Sequence, residues 1–194
     1  MNENFEVGFL AVLVELKFVT AEDATKLLAV YHESDIDQFD EFLLSEGIVE
    51  QEHLLEALSE YFQVPSFDVL GYFFETHLLR MFPKDMLLRN EIIPLQVDEN
   101  MMIMIAANPS NPDLLFEIGE HVSYDIRFHA GIGRDICDAV KEFYDKSEVE
   151  DSQDQDLRQE HLLMGEFILV EDGDEDEDQE IFFALEDDEE DSFE

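Results

Sequence analysis

The chain has 194 residues, 45% of them hydrophobic, which is enough for one ordinary domain or two small ones with an apolar core. Its 10 basic and 51 acidic residues give a formal net charge of −41, and residues 145–194 alone hold 23 acids and two bases. Such a balance argues against nucleic acid and anionic membrane surfaces as partners and favours a basic protein surface.

The sequence lacks residues that several functional classes require. Cys137 is the only cysteine, so an intramolecular disulfide and a cysteine-based metal cluster are excluded. The acidic start "MNENFEV" differs from a secretory signal, and no apolar run approaches the ~20 residues of a membrane-spanning helix. We therefore expect a cytoplasmic protein without membrane insertion, and we predict no metal and no cofactor.

Residues 1–63 are predicted to form a helical bundle. Apolar residues at helical spacing indicate a first helix near the N-terminus. Thr20, with Asp23 three residues later, is typical of the N-cap of a second helix. Residues 51–62 should form the last helix of the bundle, which Val64 and Pro65 then end.

Two stretches of this bundle have a similar pattern of apolar residues and define a degenerate repeat of about thirty residues. They are "LVELKFVTAEDATKLL" and "LLSEGIVEQEHLLEAL". In the second copy, a helix with Phe39 and Leu43 should end at Gly47, because a residue without a Cβ adopts a left-handed cap at little cost. Leu54 should be buried in the helix that follows. The repeat is interpreted as core packing.

Residues 64–144 change period and predict a small α/β module. "IIPLQV" and "MMIMIAA", separated by "DEN", indicate a hairpin. Asn111 as N-cap and Pro112 at the first helical position should begin a helix that continues to Val122. "YDIRFHA" indicates another strand, and a last amphipathic helix should start near Arg134. The predicted fold class is α+β, a helical bundle followed by this mixed module.

Residues 145–194 form an acidic, low-complexity tail that is predicted to be mostly disordered. Two apolar islands interrupt it, "HLLMGEFILV" (161–170) and "IFFALE" (181–186). Either one island adds an edge strand or short helix to the domain, or the islands are partner-binding motifs that order on contact.

The order of landmarks along the chain resembles a known family. "FDEFLLSEGIVEQEHLLEALSEYFQVPSFDV" is similar to the N-terminal region of the assembly ATPases of type II secretion and type IV pili. "LLRMFPKDMLLRNEIIPLQV", followed by Ala106 to Pro109 and a final helix ending at Tyr144, resembles the second module of that region. The resemblance covers roughly residues 5–144. No phosphate-binding G-x-x-x-x-G-K-[ST] loop is present, so it implies the regulatory and docking portion of such a motor, standing alone and not an enzyme.

Some members of that family bind cyclic di-GMP through this repeat, which there opens with Arg-Leu-Gly nine residues before the glycine. The corresponding positions here are Gln38, Phe39 and Asp40. The first copy departs further, with Gly8, Phe9 and Leu10 at the opening and Lys17 in place of the glycine. The apolar positions Leu43 and Leu54 persist, whereas the phosphate-facing residues do not. The charge therefore argues against cyclic di-GMP.

The sequence is interpreted as that of a cytoplasmic adaptor or regulatory docking protein. Its expected partner is a protein with a basic surface, such as a component of a secretion or pilus machine. Exposed aromatic residues would supply residence time, and acidic charge would accelerate encounter. The candidate anchors are Phe73, Phe74, Phe167, Phe182 and Phe183. Two alternatives remain open: a cyclic di-GMP sensor with a noncanonical site, and an acidic decoy whose tail mimics nucleic acid.

Overall fold

A computed structural model describes residues 3–145 of the chain. The N-terminal part consists of four helices, as the apolar spacing predicts. They are α1 (Glu3–Glu15), α2 (Ala21–Glu33), α3 (Phe39–Ser45) and α4 (Gln51–Phe62). Thr20 is the N-cap of α2, where its Oγ1 accepts a hydrogen bond from the Asp23 N–H at 3.2 Å. The predicted tail beyond residue 145, with its two apolar islands, lies outside the described residues.

The two copies of the repeat have the same backbone at an offset of thirty residues. Lys17 and Gly47 both have a left-handed backbone, with φ of +66° and +64°. After Lys17 the Phe18 N–H donates to the Leu13 carbonyl at 2.9 Å; after Gly47 the Ile48 N–H donates to the Leu43 carbonyl at 2.9 Å. The repeat is therefore a repeated helix–turn–helix, in which one copy uses lysine for the turn.

The second part of the described chain combines short helices with three strands. Its helices are α5 (Thr76–Leu79), α6 (Lys84–Asn90), α7 (Leu114–Gly119) and α8, which starts at residue 133 and is described to residue 145. Its strands are β1 (Ile92–Asp98), β2 (Met101–Ala106) and β3 (Asp125–Ala130). The predicted α+β fold class is confirmed.

The sheet has the order β1-β2-β3. β1 and β2 form the predicted antiparallel hairpin, with a register shift between Pro94 and Gln96. β2 and β3 are parallel, and α7 lies in the connection between them. At the end of β3, Ala130 also pairs with residues 65–67, since its N–H donates to the Pro65 carbonyl at 2.8 Å. The segment after α4 is thereby held against β3.

The helix in the crossover is shorter than predicted. Asn111 is not its N-cap: the Asn111 Oδ1 accepts a hydrogen bond from the Asp113 N–H at 3.1 Å, and the helix begins only at Leu114. Asparagine side chains stabilise turns of this kind, and they thereby delay the start of a helix. Val122 lies beyond the end of α7 at Gly119.

Two clusters of buried apolar residues hold the described chain together. One is built mainly from α1 to α4, and the other from the sheet with α5 to α8. Ala130 and Ile132, at the end of β3 and just after it, pack in the helical cluster. Both clusters lie in one compact unit. The predicted division at residues 63 and 64 into separate domains stays a prediction.

Candidate functional site

The opening positions of the second repeat copy lie where α3 meets the sheet module. Gln38 is the N-cap residue of α3, and its side-chain amide donates to the Glu91 carboxylate at the end of α6. Phe39 is fully buried. Asp40 is only 5% exposed, and its Oδ1 has no hydrogen-bond partner among the described residues. These positions are occupied by contacts within the chain itself.

Two carboxyl groups are shielded from water in this region, which we call the interlock (Gln38, Asp40, Glu91 and Gly133). Burial raises the pKa of the Asp40 carboxyl, while the backbone N–H groups of Glu41 and Gly133 act in the opposite direction. Burial also raises the pKa of Glu91; the Gln38 amide lowers it, and the nearby Asp40 charge raises it. The interlock thus holds two acidic groups whose pKa is raised by burial.

The interlock leaves little room for a side chain at position 133. A Cβ added at Gly133 would lie 2.9 Å from the Glu91 Oε2. Glu91 itself has a left-handed backbone with φ of +50°, which is uncommon for a residue with a side chain. At Gly131, an added Cβ would lie 2.5 Å from the Ile105 Cγ2. The glycines of "GIGRD" therefore permit the connection between β3 and α8 to pack closely against Ile105 of β2 and against Glu91.

The remaining repeat positions lie in the core or at a turn. Leu43 and Leu54 are fully buried, and Gly47 forms the left-handed turn after α3. In the first copy Phe9 is fully buried, and a Cβ at Gly8 would lie 3.0 Å from the ring of Tyr61. Their placement does not test a role in nucleotide binding. It gives the core positions a packing role and gives Gly47 a role in the turn.

The predicted aromatic anchors divide between surface and core. Phe73 is 75% exposed, whereas Phe74 is fully buried. A partner could reach Phe74 only if the core opened, so of this pair only Phe73 presents a surface. Phe167, Phe182 and Phe183 lie outside the described residues, and their proposed role stays a prediction.

Phe73 borders a concavity that we call the aromatic groove, with a volume of about 270 Å³. One wall is the segment 69–73; the other is a face of α8. The lining residues are Val69, Leu70, Gly71, Tyr72, Phe73, Asp135, Asp138, Ala139, Glu142 and Phe143. Leu70 is 56% exposed. The acidic residues of α8 were not predicted to belong to a site. Their spacing of three and four residues beside an apolar stripe can nevertheless be recognised in the sequence.

The described residues give little support to metal or nucleotide chemistry. They contain no group of three potential metal ligands, and none of their helices is long and apolar enough to cross a membrane. Within α1 to α4 and their connections the lysines are Lys17 and Lys26, and the Lys26 Nζ already pairs with Glu22 Oε1 at 2.7 Å. The helical bundle therefore has two lysines among its described residues, one of which is already paired.

Comparison with known families tests the predicted resemblance. Residues 62–150 match the family model of the MshEN domain. The predicted resemblance to the N-terminal domain of these ATPases is confirmed. The MshEN match begins at the end of α4, so the helical repeat lies almost wholly before it.

Solved structures extend the MshEN comparison to the fold. A structure of MshE with cdg is similar at a TM-score of 0.55 and 16% identity, covering 70% of this chain and 98% of that one. The N-terminal domain of XpsE gives a TM-score of 0.48 at 16% identity, with 74% of this chain and 99% of that chain covered. No curated protein sequence matches. At such identities the MshE structure supports the fold alone.

Proposed function

We propose that this protein is a non-enzymatic, cytoplasmic adaptor or regulator that uses an MshEN-type scaffold to bind a protein partner with a basic surface. The aromatic groove carries this proposal. It combines strongly exposed apolar side chains, Phe73 and Leu70, with acidic residues along one wall. Exposed apolar surface beside a charged rim is typical of protein interaction sites.

The interlock supports a scaffold role for the repeat. Where family members that bind cyclic di-GMP have Arg-Leu-Gly, this chain uses Gln38 to contact Glu91, and Asp40 is buried near the Gly133 N–H. No arginine is present there to pair with a negatively charged ligand, and the Gln38 amide already donates to Glu91. Where Glu91 is ionised, its charge opposes such a ligand by on the order of 1 kcal/mol or more.

Affinity purification of the tagged full-length chain from its source cells, at two salt concentrations, tests the adaptor proposal. A recovered protein is then purified and its binding measured by calorimetry. We expect one stoichiometric partner whose affinity falls with salt but is not abolished, since apolar contacts are not screened. Recovery of only assorted basic proteins, all lost uniformly at higher salt, would contradict the proposal.

A second version of the chain, lacking residues 146–194, separates docking from a decoy function. If the truncated chain keeps full affinity for the purified partner, the described domain is the docking element and the tail tunes it at most. If binding follows the tail alone, the acidic decoy becomes the better interpretation.

The sensor alternative is kept because of one comparison, the similarity to a structure of MshE with cdg. Calorimetry with cyclic di-GMP on the full chain decides it. We expect no saturable heat at ligand concentrations up to about 1 mM, which corresponds to less than roughly 4 kcal/mol of binding free energy. A micromolar dissociation constant that Gln38→Glu weakens would instead assign the ligand to the repeat opening.

A further inference from the structure

The aromatic groove has a rigid wall. The Asp68 Oδ1 accepts a hydrogen bond from the Leu70 N–H at 3.0 Å, and the Tyr72 N–H donates to the Val69 carbonyl at 3.2 Å. Gly71, with φ of +74°, permits the turn between them. A wall fixed by its own hydrogen bonds loses little conformational entropy when a partner docks.

The exposed ring of Phe73 is held in place from below. It meets the Phe143 ring edge-on at a centroid distance of 5.4 Å, and the buried Phe74 contacts the same Phe143 at 5.6 Å. Edge-to-face pairs of this kind stabilise a ring orientation. Phe73 is thus presented to solvent as an oriented apolar surface that is anchored to α8.

The charged residues that line the groove are all acidic: Asp135, Asp138 and Glu142. Arg134 and Lys141 lie on the same helix but do not line the groove, and they pair with Asp135 at 3.2 Å and with Asp138 at 3.1 Å. Asp135 is 4% exposed, and its Oδ2 has no hydrogen-bond partner among the described residues. The groove therefore has carboxylate groups beside apolar surface, in a chain whose formal net charge is strongly negative.

The size and charge of the groove restrict its occupant. A volume of about 270 Å³ lies below the range of most cofactor and small-molecule pockets and suits one large side chain of a partner. Acidic walls repel nucleic acid. A cationic partner is therefore the one that is complementary in charge to the groove.

We propose that the aromatic groove binds a partner segment in which an aromatic or large aliphatic side chain is flanked by lysine or arginine. The apolar side chain enters the aromatic groove beside the Phe73 ring, and the flanking cations lie along the acidic face of α8 that includes Asp138 and Glu142. This inference rests on the proposed adaptor function and names the site and the chemistry of its partner. Anchor residues in a central pocket with a charged rim are the usual source of affinity in such contacts.

The test uses the full-length chain and three synthetic peptides. The first has a central Leu-Phe pair flanked by lysines; the second keeps the lysines but has serines at the centre; the third keeps Leu-Phe but is flanked by glutamates. We expect saturable binding of the first peptide alone by fluorescence anisotropy. Equal affinity for the serine-centred peptide would reduce the interaction to bulk charge and overturn the proposal.

Matched variants locate the binding. Phe73→Ser should weaken the lysine-flanked Leu-Phe peptide at least tenfold, because it removes the oriented ring. Phe116→Ser is the control, since Phe116 on α7 is 72% exposed and lies outside the groove. Asp138→Asn should weaken the peptide and flatten its salt dependence, whereas Glu120→Gln on α7 should change neither. Thermal unfolding confirms that each variant is folded.

Two results would overturn the groove assignment: an equal loss of affinity in Phe73→Ser and Phe116→Ser, or full affinity in Phe73→Ser. Neither result would touch the adaptor function, which fails only if no specific partner is recovered by affinity purification. Conversely, if a purified partner binds Phe73→Ser as tightly as the wild type, the adaptor function is supported but the partner does not bind through the aromatic groove.

Discussion

At the scale of single residues, the two copies of the repeat have the same left-handed turn, although only the second copy has glycine there. Lys17 and Gly47 have φ of +66° and +64°, and both are followed by the same pair of backbone hydrogen bonds. A residue with a Cβ adopts this conformation at a cost of roughly 1–2 kcal/mol. The first copy therefore has a strained turn that the second avoids.

Substitution at the two turns should have opposite effects. We expect Gly47→Ala to lower the free energy of unfolding by about 1 kcal/mol through backbone strain alone, because no atom lies within 4 Å of the added Cβ. Lys17→Gly should raise the free energy of unfolding by up to a similar amount, reduced by the greater freedom of glycine in the unfolded chain. Urea denaturation of the full chain measures both.

Gly119→Ala is the matched control for this pair. Gly119 is exposed at the end of α7, without a left-handed φ and with nothing within 4 Å of an added Cβ. Alanine in a helix is favoured over glycine by up to about 1 kcal/mol, so this variant should be neutral or more stable. If Gly47→Ala behaved in the same way, the left-handed turn would not be retained in the protein in solution.

At the scale of elements, the interlock joins α3 to α6 and to the start of α8 through two carboxyl groups, of which Asp40 is buried and Glu91 is half-buried. Asp40 and Glu91 both have a pKa raised by burial, from ordinary values of 3.8 and 4.5. The neutral carboxyls therefore stabilise the fold. That stabilisation is complete below the ordinary pKa values and is lost as the pH rises through the raised ones.

The variant Asp40→Asn with Glu91→Gln should remove this pH dependence, since amides do not ionise. We expect the variant to match the wild type near pH 4 and to become more stable relative to it as the pH approaches 7. An asparagine at position 40 can still accept from the backbone N–H groups that surround the aspartate. Urea denaturation at several pH values gives the difference, and a constant difference across that range would mean that the two carboxyls titrate normally.

Glu117 offers a control with the opposite sign. Hydrogen bonds from Asn90 and Arg89, at 2.8 and 2.7 Å, lower the pKa of Glu117. Its stabilising contribution is therefore present above its ordinary pKa and is lost as the pH falls through the lowered value. Glu117→Gln should consequently be less stable than the wild type at neutral pH, with a difference that shrinks towards acidic pH.

Local elements could be predicted from the sequence where one signal dominates, and long-range contacts could not. The bounds of α4 follow from apolar periodicity and the stop at Pro65, whereas the start of α7 was misplaced because Asn111 forms a turn. The four-residue helix α5 is too short for a periodic signal. The interlock depends on Gln38 and Glu91, which are 53 residues apart in the chain. Phe73 and Phe74 are adjacent and chemically identical, so only packing separates the exposed ring from the buried one.

At the scale of the whole molecule, charge is the dominant feature and opposes compactness. The formal net charge is −41, and about half of it comes from residues 145–194. Several ion pairs among the described residues are exposed, such as Lys26 with Glu22, and exposed pairs contribute little. Repulsion summed over many acids therefore outweighs the attraction in these pairs.

Salt should accordingly stabilise this protein. Raising the NaCl concentration from 0.01 M to 0.1 M shortens the Debye length from about 30 Å to about 10 Å, so repulsion across the molecule is screened while buried apolar contacts are unaffected. We expect the melting temperature of the full chain to rise over this interval. The chain without residues 146–194 has roughly half the net charge and should show a smaller rise. A melting temperature that falls with salt would instead mean that attractive pairs outweigh repulsion in the folded protein.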